Sequence, residues 1–183
     1  MIGDKLIMYK KFLFAAMLAF FAMEVSAEEY LKNMDFSQGL SSWLAPRNLN
    51  LPDGEISFKV IQAEGGNQLF ITGSKREVCQ MVQTINLPPE KLFKKRVTLS
   101  ALIKPEKIVS GSLNLMCREV DASGKTIRYR SVKIDKWSPA EWRRYMVSFE
   151  VVGKTKRVQV YIRSNYLVPD DRIFLKDMIL KIH

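Results

Sequence analysis

The chain carries a single histidine, His183, at the end of the sequence. One imidazole in that position cannot serve a Ser/His/Asp triad, a Cys/His dyad or a two-histidine zinc site. Glycoside hydrolysis needs two carboxyl groups held at a fixed separation. The adjacent pairs Glu28-Glu29 and Asp170-Asp171 read as terminal and loop residues rather than as a pair fixed by strands. Proton abstraction beside a uronate dispenses with histidine: Arg or Lys neutralises the carboxylate while Tyr or Lys acts as acid and base. Those residue types are present, for example Arg128, Arg130 and Tyr161, but no motif joins them. Cys79 and Cys117 both sit in apolar alternating runs. In an oxidising compartment a disulfide between them would close a long loop and contribute about 3 to 4 kcal/mol on the entropic account. Two buried free thiols are the alternative, because free Cys is among the most buried residue types.

The elements that must position these groups are strands. Hydrophobic residues are 47% of the chain, enough for a packed core, and beyond residue 28 their period is mostly two. Strand patterns run over 55–62, 68–72, 78–87, 96–104, 112–120, 126–134, 142–152, 157–164 and 172–182. Turn chemistry separates them, including Pro52-Asp53-Gly54, Gly65-Gly66-Asn67, Pro88-Pro89, Asp121 to Lys125 and Pro169-Asp170-Asp171. Short strands at this spacing without a convincing helix predict an all-β fold, an antiparallel β-sandwich or jelly roll. Alternation then assigns faces. Val158, Val160 and Ile162 point inward, with Gln159, Tyr161 and Arg163 outward. Leu113, Leu115 and Cys117 oppose Asn114, Met116 and Arg118. In 126–133, Ile127 and Tyr129 share one face and Thr126, Arg128 and Arg130 the other, the second set being read as exposed. The segment Lys91 to Arg96 reads as a solvated turn.

Residues 1–27 have the form of a secretory signal: Lys5, Lys10 and Lys11 precede the apolar run Phe12 to Met23, and Val25-Ser26-Ala27 supplies small residues for cleavage. The run falls well short of the roughly 20 apolar residues a spanning helix requires. The expected organisation is a signal peptide over 1–27 and one domain over 28–183, exported to the periplasm, the outer surface or the medium. No later segment is apolar enough to cross a membrane. Of the net charge of +10 the signal holds only one, three lysines against Asp4 and Glu24, so the excess belongs to the domain. Export and the lack of a nucleic-acid motif turn that charge away from nucleic acid and towards anionic polymers.

Four passages in order resemble the galactose-binding-domain-like carbohydrate-binding modules of families 4, 9 and 22. Asn33-Met34-Asp35-Phe36-Ser37, then Gly39-Leu40 and Trp43, is similar to the way such modules begin. Gln83 to Pro88 followed by Val97 to Lys104 matches an internal passage. Trp142, Tyr145 and Phe149 match a W-x-x-Y-x-x-x-F strand, and Phe174, Asp177 and Leu180 match the closing strand. Most of these positions have structural reasons: Phe36, Trp43, Trp142 and Phe149 fill the ends of a sandwich, and Gln83 satisfies buried backbone groups, since an unpaired amide there would cost about 1 to 3 kcal/mol.

The resemblance implies an exported, non-catalytic carbohydrate-binding protein. Such modules stack sugar rings on aromatic faces while amides and charges bond the hydroxyls. The implied contacts are Tyr129, Trp137, Tyr161 and Tyr166, with Arg118, Arg128, Arg130 and Arg163, and further Gln80 and Gln159, as polar partners. Several arginines on one sheet would favour an acidic glycan, because guanidinium grips carboxylate or sulfate bidentately. Family members also hold a structural calcium where the first and last strands meet. Asp177 keeps one of its carboxylates; Ser37 replaces the other, so Asp35 would have to substitute. The competing expectations are an envelope accessory protein that has lost its sugar site and acts through a protein partner or anionic polymers, and a polysaccharide lyase.

Overall fold

The computed structural model describes residues 30–44, 58–73 and 78–183. The expected signal segment 1–27, the expected start at Glu28, the turn at 52–54 and the first half of the strand expected over 55–62 lie outside the described residues. The strands are β1 (Phe58–Ala63), β2 (Gly66–Ile71), β3 (Val78–Asn86), β4 (Arg96–Lys107), β5 (Ser112–Val120), β6 (Thr126–Ile134), β7 (Arg143–Glu150), β8 (Arg157–Asn165) and β9 (Arg172–Ile182). They form two antiparallel sheets, one of five strands in the order β1-β2-β9-β4-β7 and one of four in the order β3-β8-β5-β6. This is the expected all-β sandwich.

Alternation builds the core. Leu99, Ala101 and Ile103 of β4 and Leu175 of β9 meet Leu113 and Leu115 of β5 and Val158, Val160 and Ile162 of β8, all fully buried. The expected inward sets of β5 and β8 are therefore the observed ones. Residues 30–44 close one end: Phe36 and Trp43 stack at 6.2 Å between ring centroids, and Leu44 makes a bridge to Val82 beside the β3 edge. Gln83 is the buried amide the sequence implies, its Oε1 accepting from Lys32 N at 3.0 Å and its Nε2 donating to Lys32 O at 2.6 Å.

Three expectations change. First, Cys79 and Cys117 are buried and not bridged to one another, so the disulfide is corrected. Cys79 lies opposite Ser164 and Cys117 opposite Val160 on the two sides of β8. That puts a whole strand and four residues of register between the thiols, far beyond the roughly 7 Å limit between bridged Cα atoms. Burial, with a smaller contribution from Glu119, pushes the Cys117 thiol well above its ordinary range. Second, the solvated turn at 91–96 begins with a short helix, α1 (Pro89–Leu92), whose Leu92 is fully buried while Phe93 is half exposed. Third, Asp171 is no solvated loop carboxylate but is completely buried. Among the described residues no helix is long and apolar enough to cross a membrane.

Candidate functional site

The outer face of the four-stranded sheet is organised by register. One row reads Thr84, Gln159, Arg118, Tyr129 across β3, β8, β5 and β6; the next reads Val82, Tyr161, Met116, Ser131; the third reads Gln80, Arg163, Asn114, Lys133. Same-face residues in neighbouring rows stand about 7 Å apart along each strand, so the three rows make one continuous surface. A groove of about 530 Å³ runs over it, lined by Asn114, Met116, Arg118, Tyr129, Arg163 and Asn165 with Thr126 and Ser131.

Gln159 ties this surface together. Its Oε1 accepts from Arg118 Nε and from the Tyr161 hydroxyl, both at 2.9 Å, and its Nε2 reaches Thr84 Oγ1 at 3.1 Å. The Arg118 guanidinium also lies over the Tyr161 ring, 5.4 Å from its centroid. Arg163 Nε donates to Asn165 Oδ1 at 3.0 Å. Both arginines are thus aimed by neutral acceptors and keep their charge for a ligand. Burial raises the Tyr161 phenol above its ordinary range, and the nearby Arg118 and Arg163 oppose that shift without cancelling it.

The loops at the Lys133 end add a second hollow of about 230 Å³, lined by Val109 to Gly111, Lys133, Asp135, Lys136 and Trp137. Trp137 is 81% exposed. Its backbone N–H donates to Asp135 Oδ1 at 3.0 Å, and Lys136 Nζ sits 4.9 Å from its ring centroid, covering one face. The Lys133 hydrogen bond, then the Trp137 N–H, holds the Asp135 carboxyl below its usual range. Gly111 has φ +77, and a Cβ there would fall 2.2 Å from Asn165 O; only glycine lets this loop lie against the end of β8. Asp171 fixes the same loop from beneath. Its Oδ1 accepts from Val109 N and Ser110 N, and its Oδ2 from Val168 N.

The structure brings Arg118, Arg163, Tyr129, Gln80 and Gln159 onto one face, with Trp137 and the 58% exposed Tyr166 in loops at its end. It separates three others. Tyr161 faces the groove side, as alternation requires, but is 5% exposed and capped by Arg118, so it supports the groove floor and offers no free ring. Arg128 is corrected outright. It pairs with buried Glu119, donates to Glu150 O and lies over the Phe149 ring. Glu119 also accepts from Thr155 Oγ1 at 2.7 Å and Val152 N at 3.1 Å, so Arg128 neutralises a buried carboxylate. Arg130 stands opposite Cys117, on the sheet face away from Tyr129, and its guanidinium reaches Tyr129 O. The lyase-type trio of Arg128, Arg130 and Tyr161 is therefore split between opposite sides of the sheet. Asn114, Ser131 and Asn165 line the groove without having been singled out; the outward phase of β5 already contained Asn114, Met116 and Arg118.

Asp35 and Asp177 do share a cavity, of about 540 Å³, where the 33–35 segment meets β9 and β7 of the five-stranded sheet, together with Asn33 and Arg144. The Asp35 carboxylate already accepts from Ser37 N, which holds it below its usual range. Arg144 Nη1 donates to Asp177 O at 3.3 Å, taking up a carbonyl that a cation would use. Among the described residues no three His, Cys, Asp or Glu side chains converge. Two carboxylates beside a guanidinium do not fit the six to eight oxygen ligands of calcium.

No family model and no curated protein matches this sequence. Solved structures do. The enzymatically active domain of bacteriophage CBA120 tailspike protein 4 superposes with a TM-score of 0.63 at 11% identity, over 85% of this chain and 21% of that one, so this chain spans about a fifth of its length. A family 61 carbohydrate-binding module solved with β-1,4-galactotriose gives a TM-score of 0.56 at 19% identity, over 85% of this chain and 99% of that one. A family 4 module gives 0.54 at 15% identity, over 84% and 99%. At these identities the likeness is one of fold alone: this chain has the two-sheet antiparallel β-sandwich that these carbohydrate-binding modules share.

Proposed function

We propose that this is an exported, non-catalytic glycan-binding protein whose ligand lies along the outer face of the four-stranded sheet. The observation that carries the reading is the register that places Tyr129, Arg118, Asn114, Arg163 and Asn165 in one groove, with Arg118 and Tyr161 locked by Gln159. Tyr129, 61% exposed, is the stacking surface. Asn114, Ser131 and Asn165 bond hydroxyls, and Trp137 and Tyr166 extend the contact at the loop end. Two arginines aimed into a neutral groove favour a glycan bearing carboxylate or sulfate groups. Absence of catalysis is supported by the separation of Arg128 and Arg130 from the groove. Export rests on the signal-like segment 1–27.

The test is a glycan array probed with the secreted domain, followed by calorimetry on the best ligand with Tyr129→Ala and Arg118→Ala. Each substitution is expected to weaken binding about tenfold, the scale of one lost aromatic or charged contact. Array binding that both variants retain would overturn the groove, and appearance of unsaturated uronate product would overturn the non-catalytic reading.

A further inference from the structure

The outer face of the five-stranded sheet is built from different material. One row across β1, β2, β9 and β4 reads Lys59, Phe70, Phe174, Lys104; the next, across β9, β4 and β7, reads Lys176, Leu102, Arg144. Further along β9, Lys181 is exposed opposite Thr98. Lys104 and Lys176 are diagonal cross-strand neighbours, a separation of about 7 to 8 Å at the backbone. Among the described residues neither forms an ion pair, nor do Lys59 and Lys181. Like charges this close repel, and the fold supplies no carboxylate between them. Three acidic groups share this face, Asp177 next to Lys176 in the central strand and beside Arg144, exposed Glu106 two residues from Lys104 in β4, and Glu150 opposite Arg96; among the described residues none of them pairs with Lys59, Lys104, Lys176 or Lys181.

The aromatic residues of this face do not offer themselves as stacking platforms. Phe70 and Phe174 pack on each other, 5.3 Å between centroids and tilted 40°, and Trp142 is covered by Lys176 Nζ at 4.8 Å. All three are only partly exposed. They stiffen the sheet surface and support the lysine stems; the exposed apolar side chains of the face are Met146 and Ile179, in one row with Ser100, so a ligand meets cations spread around a small apolar patch. Those cations are also spread out. Lys59 and Lys104 are three strand spacings apart, about 14 Å, and Lys176 and Lys181 are five residues apart along β9, about 17 Å. A compact anion would satisfy one or two of them, whereas a chain bearing repeated negative groups satisfies all.

We propose that this face is a second binding surface, separate from the groove, that holds a linear acidic polysaccharide by its carboxylate or sulfate groups. Recognition here is by charge density and not by ring stacking, so it is steeply dependent on salt. A bilayer fits the face less well, since interfacial binding uses a broad set of projecting apolar side chains, and here the rings are tucked against the sheet and only Met146 and Ile179 project.

The deciding experiment titrates polygalacturonate and dextran sulfate onto the intact secreted domain at low and high salt, and repeats it with K104E/K176E and with the groove variant Tyr129→Ala. The double variant is expected to lose about tenfold or more in affinity at low salt and most of the salt dependence, with its thermal midpoint and its binding to the array-selected glycan kept. Loss of affinity for dextran sulfate alone, or for polygalacturonate alone, identifies the anion class the face prefers. Unchanged polyanion binding in K104E/K176E, or its loss in Tyr129→Ala instead, overturns the proposal. So does sedimentation with phosphatidylglycerol vesicles that outcompetes both polymers and is abolished by K104E/K176E.

Discussion

The two outer faces of this sandwich carry similar residues and use them differently. Each combines cations with aromatic rings in strand register. On the four-stranded face the polar side chains are bonded to one another, with Thr84, Gln159, Arg118 and Tyr161 forming one connected set and Arg163 tied to Asn165. On the five-stranded face, among the described residues, the side-chain bonds are a Thr98–Ser148 pair at 3.0 Å, those of Arg144 to Ser100 and Asp177, and an exposed Lys107–Asp170 pair at its end, while Lys59, Lys104, Lys176 and Lys181 stand on flexible stems. Composition alone would not separate the faces; hydrogen bonding does. Donors held in place before binding recognise direction and shape at small entropic cost, whereas mobile ammonium groups recognise charge.

The largest effect should come from removing what holds the loop end of the groove. Asp171→Ala leaves the amides of Val109, Ser110 and Val168 without their buried acceptor, and each lost bond of this kind costs about 1 to 3 kcal/mol. Allowing for some of these amides to reach water, a net loss of about 3 kcal/mol is expected by denaturant titration. Glycan affinity should fall with it, because the Val109 to Gly111 loop lines the Trp137 hollow. Polyanion binding by the remaining folded protein should not change. Equal losses on both faces would mean that Asp171 supports the whole sandwich and not one end of it.

Gln159→Leu acts within the face itself and should cost less, about 1 to 2 kcal/mol, since it strands the Tyr161 hydroxyl in a buried position while Arg118 can turn to solvent. Its more telling effect is on binding, where the groove should lose affinity and salt dependence on the opposite face should persist. Titration of tyrosinate absorbance supplies a second readout. In the native protein Tyr161 ionises above the ordinary range of a tyrosine, because burial disfavours the phenolate. A phenol whose pKa is higher in the folded than in the unfolded state contributes stability that is complete below the unfolded pKa and is lost as pH rises through the folded one. The domain should therefore weaken in alkali, above about pH 10 where tyrosine ionises. Ionisation of Tyr161 within the ordinary tyrosine range would show that the groove floor is open.

How much of this was legible depends on where hydrophobic phase was clear. β5 and β8 are central strands with strict alternation, and the faces of Leu113, Leu115, Val158 and Val160 followed directly. β6 is an edge strand with polar residues on both faces, so no apolar set fixes its phase. Its register also shifts between Glu119 and Val120. That is why Arg128 read as exposed although it is the counter-ion of buried Glu119. Tyr161 was placed on the correct side, but alternation says which way a side chain leaves the strand and not what then covers it. Asp171 was missed for a related reason. An Asp in a Pro-Asp-Asp turn normally faces water, and its burial depends on the 108–111 loop returning from 60 residues away in sequence. The cysteines show the same limit in another form: apolar context predicted burial, but only the strand order reveals that β8 lies between them.

The smallest expected effect sharpens the contrast on the five-stranded face. Asp35 and Asp177 sit where the family resemblance would put a calcium, yet Arg144 lines the same cavity and already donates to Asp177 O and Ser100 Oγ. A guanidinium occupying that place brings its own positive charge, so exhaustive chelation should leave the thermal midpoint unchanged. Arg144→Ala should then lower it slightly, by about 1 kcal/mol or less, as a partly exposed hydrogen-bonding cation is removed. A chelator-induced drop that Arg144→Ala enlarges would reverse the assignment, because the two carboxylates would then be holding a metal that the guanidinium competes with. In that case the five-stranded face would have one organised site of its own, and the division between a face that reads shape and a face that reads charge would apply only to its lysine-bearing part.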